Sequence, residues 1–292
     1  MVAQPLQLRW GVEQRLEFIE FRLFWEGVIN RSDLVEKFGV SVPQASNDLR
    51  RYQEIAPRNI DYDKSGKRYV SGFAFKPVLS EPSATQYLAQ LHNVAEGGAV
   101  GGDSWLSRAP STDFMPLLHR SVSIAVLRAV LKAVSAGASL EIDYQSMGET
   151  RPEPTRRWIT PHAFAHDGLR WHLRAYCHID DKFKDFLLSR MLGVHGTGGP
   201  GALPEDDRFW HERFVVVLVP NPALSDMQRR MIAQDHAMRK SRLEIPVRKA
   251  LLLYFQNRFR LDLPDQEKRP YGSPIVVKNR KEFDAALAEA ST

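Results

Sequence analysis

Gln44, Asn47 and Arg51 stand at i, i+3 and i+7, a spacing that sets all three on one face of a helix, with Ser46 and Arg50 beside them. These are the side chains of a base-pair reader: arginine pairs with guanine, and glutamine or asparagine with adenine, through two hydrogen bonds each. Ser41-Val42-Pro43 just upstream reads as an N-cap followed by a proline in the first turn, where a missing N–H does no harm. Ser41 and the free N–H groups of that turn can also receive a backbone phosphate. A few residues on, Lys64, Lys67 and Arg68 cluster around Lys64-Ser65-Gly66-Lys67, a hairpin tip able to reach a neighbouring phosphate. A polar helix face with two arginines is, taken alone, equally a solvated surface. The ordered series of short helix, glycine turn, capped polar helix and basic hairpin points to duplex DNA.

A second constellation lies between residues 139 and 190. Strand alternation turns Tyr144 and Ser146 one way, and sets Trp171 and Leu173 opposite to His172 and Arg174. Arg156, Arg157, His162 and Arg190 are near in sequence, so a small sheet can gather cations and hydroxyls on one surface. Such a surface suits an anionic ligand, and aromatics interleaved with arginine suit stacked bases. Simpler roles exist for each: Trp171 and Leu173 as core, His162 as a satisfied half-buried histidine, Arg190 as the partner of Asp185.

Enzyme signatures are weak by comparison. His162 and His166 have HxxxH spacing, but Pro161 precedes them, the neighbours read as strand and no glutamate lies between. There is no GxGxxG, P-loop or GxSxG, and the spacing of Asp143, Asp167, His172 and Asp180 forces no hydrolytic site. The single cysteine, Cys177, rules out an internal disulfide and a cysteine-based zinc site. No metal or cofactor is expected. A nucleotide- or RNA-binding or processing protein whose winged helix serves assembly stays open as the alternative.

The elements that must position these residues follow from pattern and punctuation. At 292 residues, 43% hydrophobic and 26% charged, the chain fits two or three globular domains. Its net charge of +5 is mild, but between Lys37 and Lys76 eight basic residues face four acidic ones, an excess near the N-terminus. The longest apolar run, Phe214–Val219, is too short to span a bilayer, and the start lacks a secretory signal, so the cytoplasm is expected. Glycine-rich stretches at 97–102 and 195–201 read as connectors. The predicted layout is a helix-turn-helix and hairpin domain over 1–95, a linker over 96–117, a small barrel-like sheet domain over 118–194 and a small αβ domain over 203–292. Within these, helices are predicted around Leu16–Phe24, from Ser32 to Gly39, from Ser41 to about Ile55, and over 121–137. Strands are predicted at 140–146, 156–164, 169–177 and 185–190. The last domain alternates strand, helix, strand, helix and strand over 214–277. Its helix beginning at Arg248 carries Leu251, Leu252, Tyr254, Phe255 and Phe259, more apolar surface than one small layer needs, which suits a second protomer.

The run GLRWHLRAYC at 168–177 resembles the signature of WYL domains, with Trp171-His172-Leu173 where the family has Trp-Tyr-Leu. LEIDYQS at 140–146 and LLSRM at 187–191 resemble its flanking patterns. With the N-terminal winged helix and C-terminal extension, the chain resembles WYL transcription factors of the BrxR and CapW group, which repress bacterial antiphage defence operons. The resemblance implies an α+β chain: a winged helix-turn-helix, a central Sm/SH3-like β-barrel that senses a nucleic-acid or nucleotide effector, and a C-terminal αβ domain. It also implies a homodimer on an inverted-repeat operator. The implied ligand pocket uses Tyr144, Ser146, His172, Arg174 and Arg190, with Arg157 and His162 as further members. His172 in place of tyrosine removes the phenol and makes that surface sensitive to pH.

Overall fold

The computed structural model describes residues 10–95, 104–115, 118, 120–148, 152–263 and 266–291. The chain divides into two compact units, 1–116 and 117–292. The glycine-rich stretch 97–102 lies outside the described residues.

The first unit runs α1 (Trp10–Glu26), β1 (Val28–Ile29), α2 (Arg31–Phe38), α3 (Val42–Ile55), β2 (Ile60–Asp63), β3 (Arg68–Ser71) and α4 (Ala84–Ala95). The short strand β1 and the helix α4 are not among the predicted elements. β1 joins the hairpin to give the antiparallel order β1-β3-β2. Leu16, Ile19 and Leu23 of α1 bury against Leu34 of α2, Leu49 and Tyr52 of α3 and Ile60 of β2. α2 starts two residues earlier than the expected Ser32 cap allows. Asn30 is its N-cap, and the Asp33 carboxylate accepts the Asn30 N–H at 2.8 Å. Gly39 closes the helix at φ +64°, a left-handed conformation that favours glycine.

A buried carboxylate organises this core. Glu20, 1% exposed, accepts hydrogen bonds from the Tyr52 hydroxyl (3.1 Å) and the backbone N–H groups of Val78 (2.9 Å), Leu79 (2.9 Å) and Ser80 (3.0 Å). Asn59 donates to the Tyr52 hydroxyl and pairs with both backbone groups of Lys76. The segment leaving the hairpin is thereby strapped to α1 and α3 through one acid. Residues 104–108, expected in a linker, also pack on this unit. Trp105 meets Phe18 and Phe21 edge-on, and the Ser107 N–H and hydroxyl both donate to Glu26.

The second unit begins with α5 (Ile124–Ala136), closed by Gly137, and five antiparallel strands: β4 (Ser139–Tyr144), β5 (Thr155–His166), β6 (Trp171–Cys177), β7 (Lys182–Phe186) and β8 (Met191–Gly198). The order is β7-β6-β5-β4-β8, and among the described residues no ladder joins β7 to β8. The expected barrel is therefore an open sheet, with α5 packed through Val126, Val130 and Ala133 on Leu140, Ile142, Ile159 and Leu173. Two local expectations change. The stretch at 195–201, expected as a connector, continues β8 as far as Gly198. A Cβ there would come within 3.1 Å of the Trp158 ring, so glycine lets the strand lie against that ring. The predicted strand at 185–190 ends at Phe186, and Leu188–Arg190 form a single 3-10 turn.

The chain continues through α6 (Arg208–His211), β9 (Arg213–Pro220), α7 (Asp226–Asp235), β10 (Leu243–Arg248), α8 (Leu252–Arg258), β11 (Ile275–Val277) and α9 (Arg280–Ser291). β9 is central in an antiparallel sheet, β10-β9-β11, whose core combines Val216, Leu218, Leu252, Val277 and Phe283. A 3-10 turn at Lys249–Leu251 delays α8 to Leu252 rather than Arg248.

Asp207 fastens the five-stranded sheet to this second layer. It caps α6, accepting the Trp210 N–H at 3.2 Å, and takes two hydrogen bonds from Arg174 of β6, Nε at 2.7 Å and Nη2 at 3.0 Å. His162 of β5 donates to the same carboxylate at 2.9 Å. Burial works to raise the Asp207 carboxyl, but the hydrogen bonds from His162 and Arg174 outweigh it and hold it at about 2. Arg174 also reaches Asp185 of β7 (3.3 Å), whose other oxygen accepts the Tyr254 hydroxyl of α8 (2.9 Å).

Two outcomes follow for stability. Glu20→Ala strands three backbone N–H groups and costs about 3 kcal/mol; hydrogen exchange should show protection lost first at Val78, Leu79 and Ser80. Asp207, depressed from 3.8 to about 2, stabilises the fold fully above pH 4, and that contribution is lost as the pH falls from about 4 to about 2. Asp207→Asn should cost about 3 kcal/mol at pH 7 in urea unfolding and flatten the loss of stability between pH 4 and 2.

Candidate nucleic-acid interface and the five-stranded sheet

α3 separates its side chains by depth. Ala45, Asp48, Leu49 and Tyr52 are buried against α1 and α2, whereas Asn47, Arg50 and Arg51 are exposed. Ser41 caps the helix as expected, its hydroxyl accepting the Gln44 N–H at 3.3 Å. Ser46 is half-buried, and its hydroxyl donates to the Val42 carbonyl at 3.0 Å, one turn back along the helix. Gln44 is also half-buried; its side-chain amide donates to Asp48 at 2.9 Å. Asp48 in turn receives the Arg15 guanidinium of α1 at 2.6 Å and 3.4 Å. Neither Arg15 nor Asp48 stands out in the sequence, because a buried ion pair has no periodicity of its own.

The hairpin tip is built by Asp63. Its carboxylate accepts the N–H groups of Ser65 (3.0 Å) and Gly66 (2.9 Å) and pairs with Arg68 (3.3 Å). The Gly66 hydrogen bond, more than the Arg68 charge, holds the Asp63 carboxyl below its ordinary value. A Cβ at Gly66 would stand 2.5 Å from that carboxylate, so the turn needs glycine there. Lys64 and Lys67 are left exposed at the tip, with Lys67 at φ +49°. Arg68, expected at a phosphate with them, is exposed but engaged by Asp63.

In the sheet, the predicted ligand residues do not share one surface. Register pairs Ile142 with Arg157, which puts Arg157 on the α5 side with Tyr144. The Arg157 guanidinium lies 5.4 Å from the centre of the Tyr144 ring and is 3% exposed. Its Nε and Nη2 have no hydrogen-bond partner among the described residues. The Tyr144 hydroxyl accepts the Leu187 N–H at 3.2 Å, and the Gln145 N–H reaches the Arg190 carbonyl at 3.0 Å. Tyr144 and Arg157 therefore meet at one end of the sheet, and the Arg190 main chain lies beside Gln145 there; no contact among the described residues brings the Ser146 or Arg190 side chain to them. Asp185, the partner that the sequence allows for Arg190, is taken by Arg174 and Tyr254.

His162, His172 and Arg174 lie on the opposite face, turned towards α6 and α8. His162 and Arg174 are bound to Asp207, as described. His172, 2% exposed, packs 4.2 Å from the Tyr254 ring and donates to Asp167 at 2.8 Å. Burial works to raise the Asp167 carboxyl, but this bond and the N–H groups of Leu169 and Arg170 hold it at about 2. A bulge in β5 between Pro161 and Ala163 shifts the register and defeats simple alternation. Leu173 is core, but Trp171, expected with it, is 59% exposed. It begins β6 directly after the turn, and its ring rests on His166. His162 and His166 thus point to different partners, and among the described residues no group of three or more histidine, cysteine or acidic side chains is arranged to hold a metal. No helix among them is long and apolar enough to cross a membrane.

Comparison with known proteins finds three domain families along the chain. Residues 11–93 match the BrxR transcriptional regulator winged helix-turn-helix domain, 125–195 the WYL domain, and 213–283 the BrxR C-terminal dimerization domain. The DNA-binding transcriptional repressor CapW of Escherichia coli (strain KTE188) is 37% identical over 281 residues, 96% of this chain and 93% of that protein. CapW of Pseudomonas aeruginosa is 37% identical over 275 residues, covering 94% and 91% of the two chains. CapW of Stenotrophomonas maltophilia is 36% identical over 284 residues, covering 97% and 94%. Similarity of this extent, carried through all three domains, makes the chain a member of the CapW/BrxR family of WYL-domain transcriptional repressors.

Proposed function

We propose that this repressor binds an inverted-repeat operator as a homodimer, silences a bacterial antiphage defence operon, and changes its grip when an anionic nucleotide or oligonucleotide binds the WYL sheet. The observation that carries the DNA reading is the exposed row Asn47, Arg50 and Arg51 on a capped helix whose opposite stripe is wholly buried. In this reading α3 lies in the major groove, Ser41 and the first turn of α3 meet a phosphate, and Lys64 and Lys67 follow the backbone beside it. Gln44 and Ser46 sit lower on the same helix and contribute less area. The match to a dimerization domain at 213–283 supports two copies, one per half-site.

For the effector, the unsatisfied guanidinium edge of Arg157 beside Tyr144 supports an anion site at that end of the sheet, to which Ser146 and Arg190 belong in this reading. His162, His172 and Arg174 act as couplers instead, because their polar atoms are spent on Asp207, Asp185 and Asp167. An effector that shifts β5 or β6 disturbs those bonds and reaches α6 and α8, the elements that flank the dimerization domain's sheet. Only a difference in affinity between two arrangements transmits the signal.

Two measurements test this. In gel shifts with the DNA upstream of the chain's own operon, Asn47→Ala/Arg51→Ala should lose at least about 100-fold in specific affinity at unchanged melting temperature; full retention defeats the operator reading. Lys64→Ala/Lys67→Ala should instead weaken all duplexes alike and lower the salt slope by about 2. With short single-stranded oligonucleotides or nucleotides as probes, Arg190→Ala should abolish their effect on operator binding and leave effector-free binding intact.

A further inference from the structure

The half-buried Gln44 does not hang free. Its amide nitrogen donates to Asp48 at 2.9 Å, and Asp48, 2% exposed, is held in turn by Arg15 through both carboxylate oxygens. The Arg15 main chain belongs to α1, and its Nη1 also donates to the Gly11 carbonyl at 2.7 Å, so both ends of the clamp are tied to a second helix. We propose that Arg15 and Asp48 are positioning residues that fix the orientation of the Gln44 amide and thereby make it select adenine over guanine.

The chemistry runs through donors and acceptors. A carboxylate only accepts hydrogen bonds, so Asp48 tolerates the nitrogen of the Gln44 amide facing it and repels the oxygen. The amide flip is thereby decided before any DNA arrives. One N–H is spent on Asp48, which leaves one N–H and the carbonyl oxygen for a base. That remaining pair is complementary to adenine, whose N7 accepts and whose N6 amine donates. Guanine presents two acceptors, N7 and O6, and meets the fixed carbonyl oxygen with repulsion. An unclamped glutamine turns its NH2 group to guanine instead and loses that discrimination. Selectivity here comes from the internal neighbour as much as from the reading side chain.

This inference rests on α3 as the reading helix, and the experiment separates the two claims. Full-length protein selects duplexes from a randomised library, and binding is then measured for every single-base variant of the selected site. Gln44→Ala identifies the position that Gln44 reads, as the one whose preference collapses. In Asp48→Asn the adenine-over-guanine ratio at that position should fall about tenfold, with the ratios elsewhere unchanged; in a Gln44→Ala background the same change should do nothing further there. Where Asp48→Asn fails to fold, Arg15→Lys keeps the charge but grips one carboxylate oxygen, and it should lower the same ratio and no other. If Gln44→Ala alters no position, the reading of α3 at this residue fails and the clamp with it. If Gln44→Ala collapses one position while the Asp48 or Arg15 variant leaves its ratio intact, or lowers every ratio alike, the clamp alone is overturned.

Discussion

The bidentate bond from Arg174 to Asp207 is the constraint on which the second unit depends. An arginine and an aspartate, both nearly inaccessible, are tolerable inside a protein only when each satisfies the other's hydrogen bonds. Asp207 takes three kinds of donor at once, from β6, from β5 and from the first turn of α6. Because a buried carboxylate without its partner is costly, the sheet and the segment that follows it have one favourable arrangement rather than a range. Asp185 and Tyr254 extend the same bonding to α8, and His172 stacks on Tyr254, so the WYL strand reaches the C-terminal layer through its polar face. Its apolar face meets α5. Strand alternation alone divides β6 between a core and an internal joint.

Much of this was legible in the sequence where local chemistry decides the outcome. The Ser41 cap, Pro43, Gly39 and Gly137 each act within one helical turn, and the helix ends they set fall as expected. The hairpin tip at Gly66 follows from its own composition. Errors concentrate where a distant partner decides. Trp171 reads as core from its type, but it lies at the start of its strand beside the turn. Gly196 and Gly198 read as breakers, yet both continue β8, and at Gly198 the Trp158 ring of β5 and the Ser139 hydroxyl crowd the space a side chain would need.

The candidate ligand set shows the same limit more sharply. Residue types correctly suggested a charged, aromatic sheet, but only register reveals that Tyr144 and Arg157 share one face while Arg174 and His162 share the other. The acids that neutralise the second group, Asp207, Asp185 and Asp167, lie 33, 11 and 5 residues away from their partners. No spacing rule connects them. Buried ion pairs are set by three-dimensional proximity, and a one-dimensional pattern cannot carry that information.

The depth profile of α3 has a consequence for how such repressors diverge. In the proposed reading, the exposed Asn47, Arg50 and Arg51 can be exchanged to alter the contacted letters at little folding cost. Gln44 is different, because its amide is bound to Asp48 and through it to Arg15 on another helix. A lineage drifting towards a new operator can change the outer positions one at a time. At position 44 it must move three residues together or pass through an intermediate with a mismatched interior, so that part of the recognition code should turn over most slowly.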